Sequence, residues 1–84
     1  MKTLSEIADM LRDEIADLVG ASFAEIGADM PLHELGVDSL GLVELFVFIE
    51  KQFGIVLMES GITQEDLRTV ATLSARIARE QKAR

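Results

Sequence analysis

Cysteine is absent from this sequence of 84 residues. Its absence excludes disulfide-stabilised scaffolds, zinc sites built on thiolates and cysteine nucleophiles. No apolar run approaches the roughly 18 residues that a membrane-spanning helix requires. The N-terminal residues also lack the apolar region of a signal peptide, because acids interrupt them. We therefore expect a cytoplasmic protein without a membrane span.

Basic residues are scarce as well. Lys and Arg total 8 against 15 Asp and Glu, so the net charge is −7. Nucleic acids and anionic membrane surfaces both require a surplus of basic residues, so neither is an expected partner. Residues 13–50 contain no Lys or Arg at all. Such a stretch would make one side of a small protein negative and would steer basic partners toward it.

The length allows a single domain, residues 1–84, with one thin core and no deep cleft. Ser39, His33 and Asp38 could be written as a hydrolase triad. A hydrolase also needs a rigid pocket and an oxyanion hole, which a scaffold of this size does not favour. We therefore expect no catalytic residues, and no metal site of the chain's own.

The first predicted helix covers residues 4–18. Thr3-x-x-Glu6 is a capping-box pattern, apolar residues follow it at helical spacing, and Gly20 marks the end. Residues 20–38 then form a connection that is unusually long for so small a domain. Because this connection is rich in apolar residues, we expect it to pack over the helices.

Three further helices are predicted after the connection. The second runs from Ser39 to Phe53, a short third ends near Leu67, and a fourth starts at Thr69 and frays from Gln81 onward. The expected fold is therefore all-α. It is a four-helix bundle of three longer helices and a short third one, with a long loop between the first two.

The second predicted helix carries apolar residues on more than one side. Five of them form a core stripe: Leu42, Leu45, Phe46, Ile49 and Phe53. Leu40, Val43 and Val47 fall toward the opposite side. Either the helix is buried all round, or this second strip is exposed and docks a partner. Glu44 and Glu50 would flank an exposed strip, which suits a partner with a basic, apolar groove.

The start of this helix holds the most specific pattern. The segment comprises Asp29-x-x-Leu32-x-x-Leu35-Gly36, then Asp38-Ser39-Leu40, Val43-Glu44-Leu45 and Phe53-Gly54-Ile55. Asp-Ser-Leu alone is a weak signal, because Asp and Ser are favoured helix caps in any protein. The combination resembles acyl carrier proteins of the phosphopantetheine-binding family, and the resemblance covers almost the whole chain.

The resemblance implies a covalent cofactor. The serine of the family motif, here Ser39, accepts a 4′-phosphopantetheine arm through a phosphodiester bond. The thiol of the arm carries acyl or aminoacyl groups as thioesters. Asp38 and Leu40 flank the attachment position. Asp38 is expected to serve the phosphopantetheinyl transferase, which supplies Mg²⁺ and coenzyme A.

The resemblance also implies a set of partners. Four positions match family residues that meet partner enzymes: Leu40, Val43, Glu44 and Val47. We expect the transferase, an acyl- or aminoacyl-loading enzyme and downstream acyl-processing enzymes to bind a monomeric chain. The chain itself would be a carrier and not an enzyme.

Some features depart from carriers of fatty-acid synthesis. Residues 57–62 contain one acid where many members have an acidic run, Phe46 and Phe48 are bulky, and the C-terminal helix is basic. These features favour a stand-alone carrier of a specialised polyketide, peptide or lipid pathway. The alternatives are a housekeeping carrier of fatty-acid synthesis and an unmodified helical adaptor that acts by protein contacts only.

Overall fold

The computed structural model describes residues 1–83 and contains three α-helices: α1 (Leu4–Val19), α2 (Ser39–Phe53) and α3 (Val70–Ala83). Short 3-10 helices lie in the connections at Phe23–Glu25, Leu32–Leu35 and Leu57–Glu59. No β-strand occurs within the described part of the chain, where one isolated antiparallel bridge joins Pro31 and Thr69. The all-helical fold class is confirmed.

The caps of α1 form as predicted. The Glu6 N–H donates to Thr3 Oγ1 at 3.1 Å, and the Thr3 N–H donates to Glu6 Oε1 at 2.8 Å. Gly20 then ends the helix in the left-handed region, with φ of 73°. The left-handed conformation has a low energetic cost only for glycine, so the helix ends before Gly20. Its last residue is Val19, one residue beyond the predicted Leu18.

The bounds predicted for α2 are confirmed. Asp38 has an extended backbone and caps the first turn, and Gly54 ends the helix with φ of 69°. Both helix boundaries depend on local sequence alone. The N-terminal cap requires only a short polar side chain, and the C-terminal end requires only a residue that tolerates positive φ.

The predicted count of four helices is not confirmed. The segment that ends near Leu67 forms a turn, in which the Leu67 N–H donates to Thr63 O at 3.3 Å. Its predicted cap does form, since the Asp66 N–H donates to Thr63 Oγ1 at 3.2 Å. A segment this short forms few helical hydrogen bonds, and these do not offset the conformational entropy lost when its backbone is ordered. Its conformation therefore depends on long-range contacts.

The predicted fraying of the last helix is wrong for the described residues. α3 continues through Ala83, and the Gln81 side chain donates to Lys2 O at 3.1 Å, which ties the last turn to the N-terminus. Arg84, the final residue of that predicted segment, lies outside the described residues.

The core lies between the three helices and under their connections. Its fully buried side chains include Ile7, Leu11 and Ile15 of α1, Leu45 and Ile49 of α2, Val70, Leu73 and Ile77 of α3, and Ile26 of the long connection. That connection therefore packs down as expected. The Arg12 side chain fixes it further, because Nε donates to Ile26 O at 2.5 Å and the guanidinium lies 4.0 Å from the centre of the Phe23 ring.

Candidate functional site

Ser39 is the first residue of α2, and its side chain is exposed. The residue before it shapes the helix start: the Gly41 N–H donates to Asp38 Oδ1 and the Leu42 N–H donates to Asp38 O, both at 2.8 Å. The sequence pattern predicted this exposed serine at a helix N-terminus correctly. Among the described residues, no hydrogen bond engages the Ser39 hydroxyl.

The backbone at this helix start is available to a ligand. The N–H groups of Ser39 and Leu40 have no acceptor among residues 1–83, because the Asp38 cap satisfies the next N–H and not theirs. Unpaired N–H groups and the positive end of the helix dipole together favour an anion such as a phosphate.

The structure does not assemble a hydrolase triad. His33 lies on the 3-10 helix Leu32–Leu35, exposed, with Nε2 4.0 Å from Glu34 Oε2. The Asp38 carboxylate accepts the Gly41 N–H in the helix cap, and within residues 1–83 no hydrogen bond joins it to either His33 or Ser39. No group of three or more His, Asp or Glu able to hold a metal occurs in the described part of the chain.

One side of α2 exposes an apolar strip, which we call the α2 strip: Leu40, Val43 and Val47. Their exposed fractions are 69%, 55% and 47%, whereas Leu45 and Ile49 are fully buried. The structure therefore decides between the two interpretations of this helix, since α2 is not buried all round. An exposed apolar strip on a small protein is typical of a contact surface.

A groove of about 600 Å³ runs beside this strip. Its α2 side consists of Leu42, Val43, Phe46, Val47 and Glu50, and its other side of Val56, Leu57, Met58, Ile62 and Leu67. We call residues 56–67 the groove wall. The lining is almost wholly apolar, so the groove suits an apolar ligand.

Sequence reasoning missed the groove wall. Phe46 packs against the core, as its place in the predicted core stripe implies, and it also lines the groove. The only available signal was the recurrence of apolar residues at Val56, Met58 and Ile62 in a segment without helical spacing.

Acids of α1 and α2 share one face. Partial burial raises the pKa of Glu14, and the neighbouring charges of Asp17, Asp13 and Glu44 raise it further. Because Glu44 belongs to α2, acids of both helices contribute to the negative charge around Glu14. A negative face of this kind would steer basic partners toward it, and that steering stays a prediction.

The comparisons with known proteins agree with this geometry. The family model for the phosphopantetheine attachment site matches residues 9–77. The chain is 41% identical over 56 residues to an acyl carrier protein of Rickettsia bellii, a match covering 66% of this chain and 69% of that protein. It is 32% identical over 59 residues to an acyl carrier protein of Solidesulfovibrio magneticus, covering 69% and 76%.

A further relative is far larger. A non-reducing polyketide synthase of Aspergillus calidoustus is 34% identical over 64 residues, which is 76% of this chain but 2% of that protein's length.

No helix within residues 1–83 is long and apolar enough to cross a membrane. Because the family model spans most of the sequence, the chain belongs to the acyl carrier protein family, whose members bear covalent 4′-phosphopantetheine and are carriers rather than catalysts.

Proposed function

We propose that Ser39 carries the 4′-phosphopantetheine arm and that the chain presents thioester-bound acyl or aminoacyl groups to partner enzymes. The observation that carries this proposal is that Ser39 is the first residue of α2 and that its side chain is exposed. A hydroxyl that reacts inside another enzyme's active site has to be reachable from solvent. Ser39 meets that requirement, and the flanking Asp38 and Leu40 are exposed with it.

The residues around Ser39 fit a phosphodiester. The N–H groups of Ser39 and Leu40 are available to phosphate oxygens, and the helix dipole favours a negative charge there. The Asp38 carboxylate would repel a phosphate at short range. We therefore assign Asp38 two roles, as cap of α2 and as a group that serves the transferase and its Mg²⁺. The bound arm supplies the thiol that a chain without cysteine lacks.

Attachment involves one bond exchange. Ser39 Oγ forms a bond to the phosphorus on the pantetheine side of coenzyme A and loses its proton to a base of the transferase. The bond from that phosphorus to the bridging oxygen breaks, and adenosine 3′,5′-bisphosphate leaves. The chain contributes the nucleophilic oxygen and its exposed position, and the transferase contributes the metal and the base.

The groove is the proposed resting place of an apolar cargo. Along α2, Leu42 lies about 4.5 Å of helical rise from Ser39 and Glu50 lies about 16 Å from it, so the groove leads away from the attachment position. Each methylene group buried there would gain about 0.8 kcal/mol. A small polar cargo would gain almost nothing, so the groove favours longer apolar acyl groups.

The α2 strip and its neighbouring acids form the proposed partner surface, with Leu40, Val43, Glu44 and Val47 in contact. The strip supplies apolar contact area, and Glu44 lies on the acidic face that includes Glu14. A transferase or acyl-processing enzyme with a basic rim around an apolar groove fits this surface. Its association should weaken as salt concentration rises.

We assign the carrier to a specialised polyketide, peptide or lipid pathway, with a housekeeping role in fatty-acid synthesis as the alternative. The bulky Phe46 in the groove and the match to part of a polyketide synthase support the first role. The two relatives that are named only as acyl carrier proteins are compatible with the housekeeping role. The monomeric state and the cytoplasmic location stay predictions.

The test is the intact mass before and after incubation with coenzyme A, Mg²⁺ and a broad-specificity transferase. We expect one added phosphopantetheine on the wild-type chain and none on Ser39→Ala. Ser5→Ala is the matched control, because Ser5 is an exposed serine in the first turn of α1. Modification of Ser39→Ala would contradict the assignment. An unmodified wild-type chain, with a transferase verified on another carrier, would favour the adaptor.

A further inference from the structure

Polar contacts hold the groove wall at few places. One end of the wall is held by an apolar contact, because Leu57 is buried in the core. Just beyond the other end of the wall, the Leu32 N–H donates to Arg68 O at 2.9 Å. Between these ends, the hydrogen bonds that join the wall to α3 come from Thr72, Arg76 and Arg79 in the described part of the chain.

Arg76 makes most of these contacts. Its Nη2 donates to Ser60 O, and its Nη1 donates to Gly61 O at 3.4 Å and to Asp66 Oδ2 at 2.6 Å. Nε donates to Glu80 Oε1 at 2.9 Å, which orients the guanidinium from its own helix. One side chain thus bonds the wall at two places, on both sides of the groove-lining Ile62.

The environment of Arg76 distinguishes it from its neighbour. The Arg76 side chain is 13% exposed, whereas the Arg79 side chain is 67% exposed and reaches only Asp66 Oδ1, at 3.3 Å. Hydrogen bonds between ionised groups are stronger than neutral ones, and more so where water is excluded. Arg76 is therefore the main polar tie of the wall, and Arg79 is a peripheral one.

We infer that Arg76 is a positioning residue that sets how tightly the groove closes over an acyl chain. It acts through the wall and touches neither Ser39 nor the cargo. With Arg76 in place, Ile62 and Leu67 stay opposite α2 and the groove keeps both sides. Without it, the middle of the wall has Thr72 and Arg79 alone as polar ties and separates from α2 more often. The inference rests on the proposed function in one respect, that the cargo occupies this groove.

The first test uses the unmodified chain and needs no attachment at Ser39. The probe is the uncharged dye N-phenyl-1-naphthylamine, whose binding is measured by fluorescence titration. We expect Arg76→Gln to weaken dye binding at least on the order of tenfold, because losing even one of the charge-assisted hydrogen bonds to the wall shifts an opening equilibrium by about that factor. Arg79→Gln, with the same charge change, should stay within about twofold.

The second test uses chains loaded with octanoyl- or acetyl-phosphopantetheine from the corresponding coenzyme A thioesters. Hydroxylamine cleavage of the octanoyl thioester should be faster in Arg76→Gln, whereas cleavage of the short acetyl thioester should not change. A merely structural defect would not alter this ratio selectively. Arg76→Lys should restore part of the protection, because it keeps the charge but cannot bond both parts of the wall at once.

Each outcome bears on a different statement. Equal dye affinity and equal octanoyl protection in Arg76→Gln and Arg79→Gln would overturn the role of Arg76, as would a wild-type chain that binds no dye. Failure to load the wild-type chain would contradict the attachment at Ser39, while the dye titration still tests Arg76. If Arg76→Gln does not fold, Glu80→Ala removes the carboxylate that accepts from Arg76 Nε, and it should weaken dye binding in the same direction.

Discussion

Asp38 has two separable roles, and replacing it should reveal both. Its carboxylate accepts the Gly41 N–H at 2.8 Å, so Asp38→Ala removes the cap of α2. Loss of such a cap costs about 1 kcal/mol. In a domain of this size that corresponds to a decrease of roughly 4–8 °C in the midpoint of thermal unfolding. Asp38→Asn keeps the cap, because Asn and Asp are equally good at this position, and removes only the charge.

The two variants should therefore separate stability from modification. Asp38→Asn should lose less stability than Asp38→Ala, since it loses only the favourable charge at the helix start, about 0.3–1 kcal/mol, whereas Asp38→Ala loses this charge and the cap. The rate of phosphopantetheine attachment to Asp38→Asn should nevertheless fall, if the carboxylate serves the transferase and its Mg²⁺. Asp38→Ala should lose both stability and rate. The assays are thermal unfolding by circular dichroism and the initial rate of mass increase.

Thr3→Ala is the control for instability alone. Thr3 caps α1 through the same kind of bond, with the Glu6 N–H at 3.1 Å from Oγ1, and its loss should cost about as much. A Thr3→Ala chain as unstable as Asp38→Ala but modified at the wild-type rate would confirm that the rate effect is local. If Asp38→Asn were as unstable as Asp38→Ala, the argument from the cap would be refuted. If it were modified at the full rate, the role assigned to the charge would be wrong.

Three further predictions concern stability. Leu11→Ala should cost about 2–5 kcal/mol, because Leu11 is fully buried; the urea midpoint should fall with little change in slope, and a cost below 1 kcal/mol would contradict its place in the core. Glu14→Gln should raise the thermal midpoint at pH 7 by roughly 2–4 °C, since partial burial and the neighbouring like charges both disfavour this carboxylate. Because folding raises the pKa of Glu14, the ionised carboxylate destabilises the fold at neutral pH, and this destabilisation disappears as the pH falls toward the ordinary value of 4.5. The gain in thermal midpoint of Glu14→Gln should therefore shrink over that range. A pH-independent gain would show that it does not come from the ionisation of Glu14. Gly20→Ala should cost about 1–2 kcal/mol in thermal unfolding, because φ is 73° and no neighbour lies within 4 Å of the added carbon, and an unchanged midpoint would contradict the strain.

Features that depend on near neighbours along the chain could be predicted from the sequence. The bounds of α2 follow from Asp38 and Gly54, whose effects on the backbone need no distant partner. The same caps place Ser39 at an exposed helix start, so the candidate attachment residue could be predicted without the structure. Helical spacing also separated the buried Leu45 from the exposed Val43 correctly.

Tertiary structure alone decided the groove and its wall. Arg76 bonds Asp66 in the turn that replaces the predicted third helix, and Gly61 in the preceding segment; these residues lie 10 and 15 positions before it in the chain. Phe46 packs against the core and also lines a groove, because the wall lies opposite it. A periodic pattern shows which face of a helix is apolar, but not which distant segment covers that face. That choice depends on contacts between residues far apart in sequence, whose energies no local pattern contains.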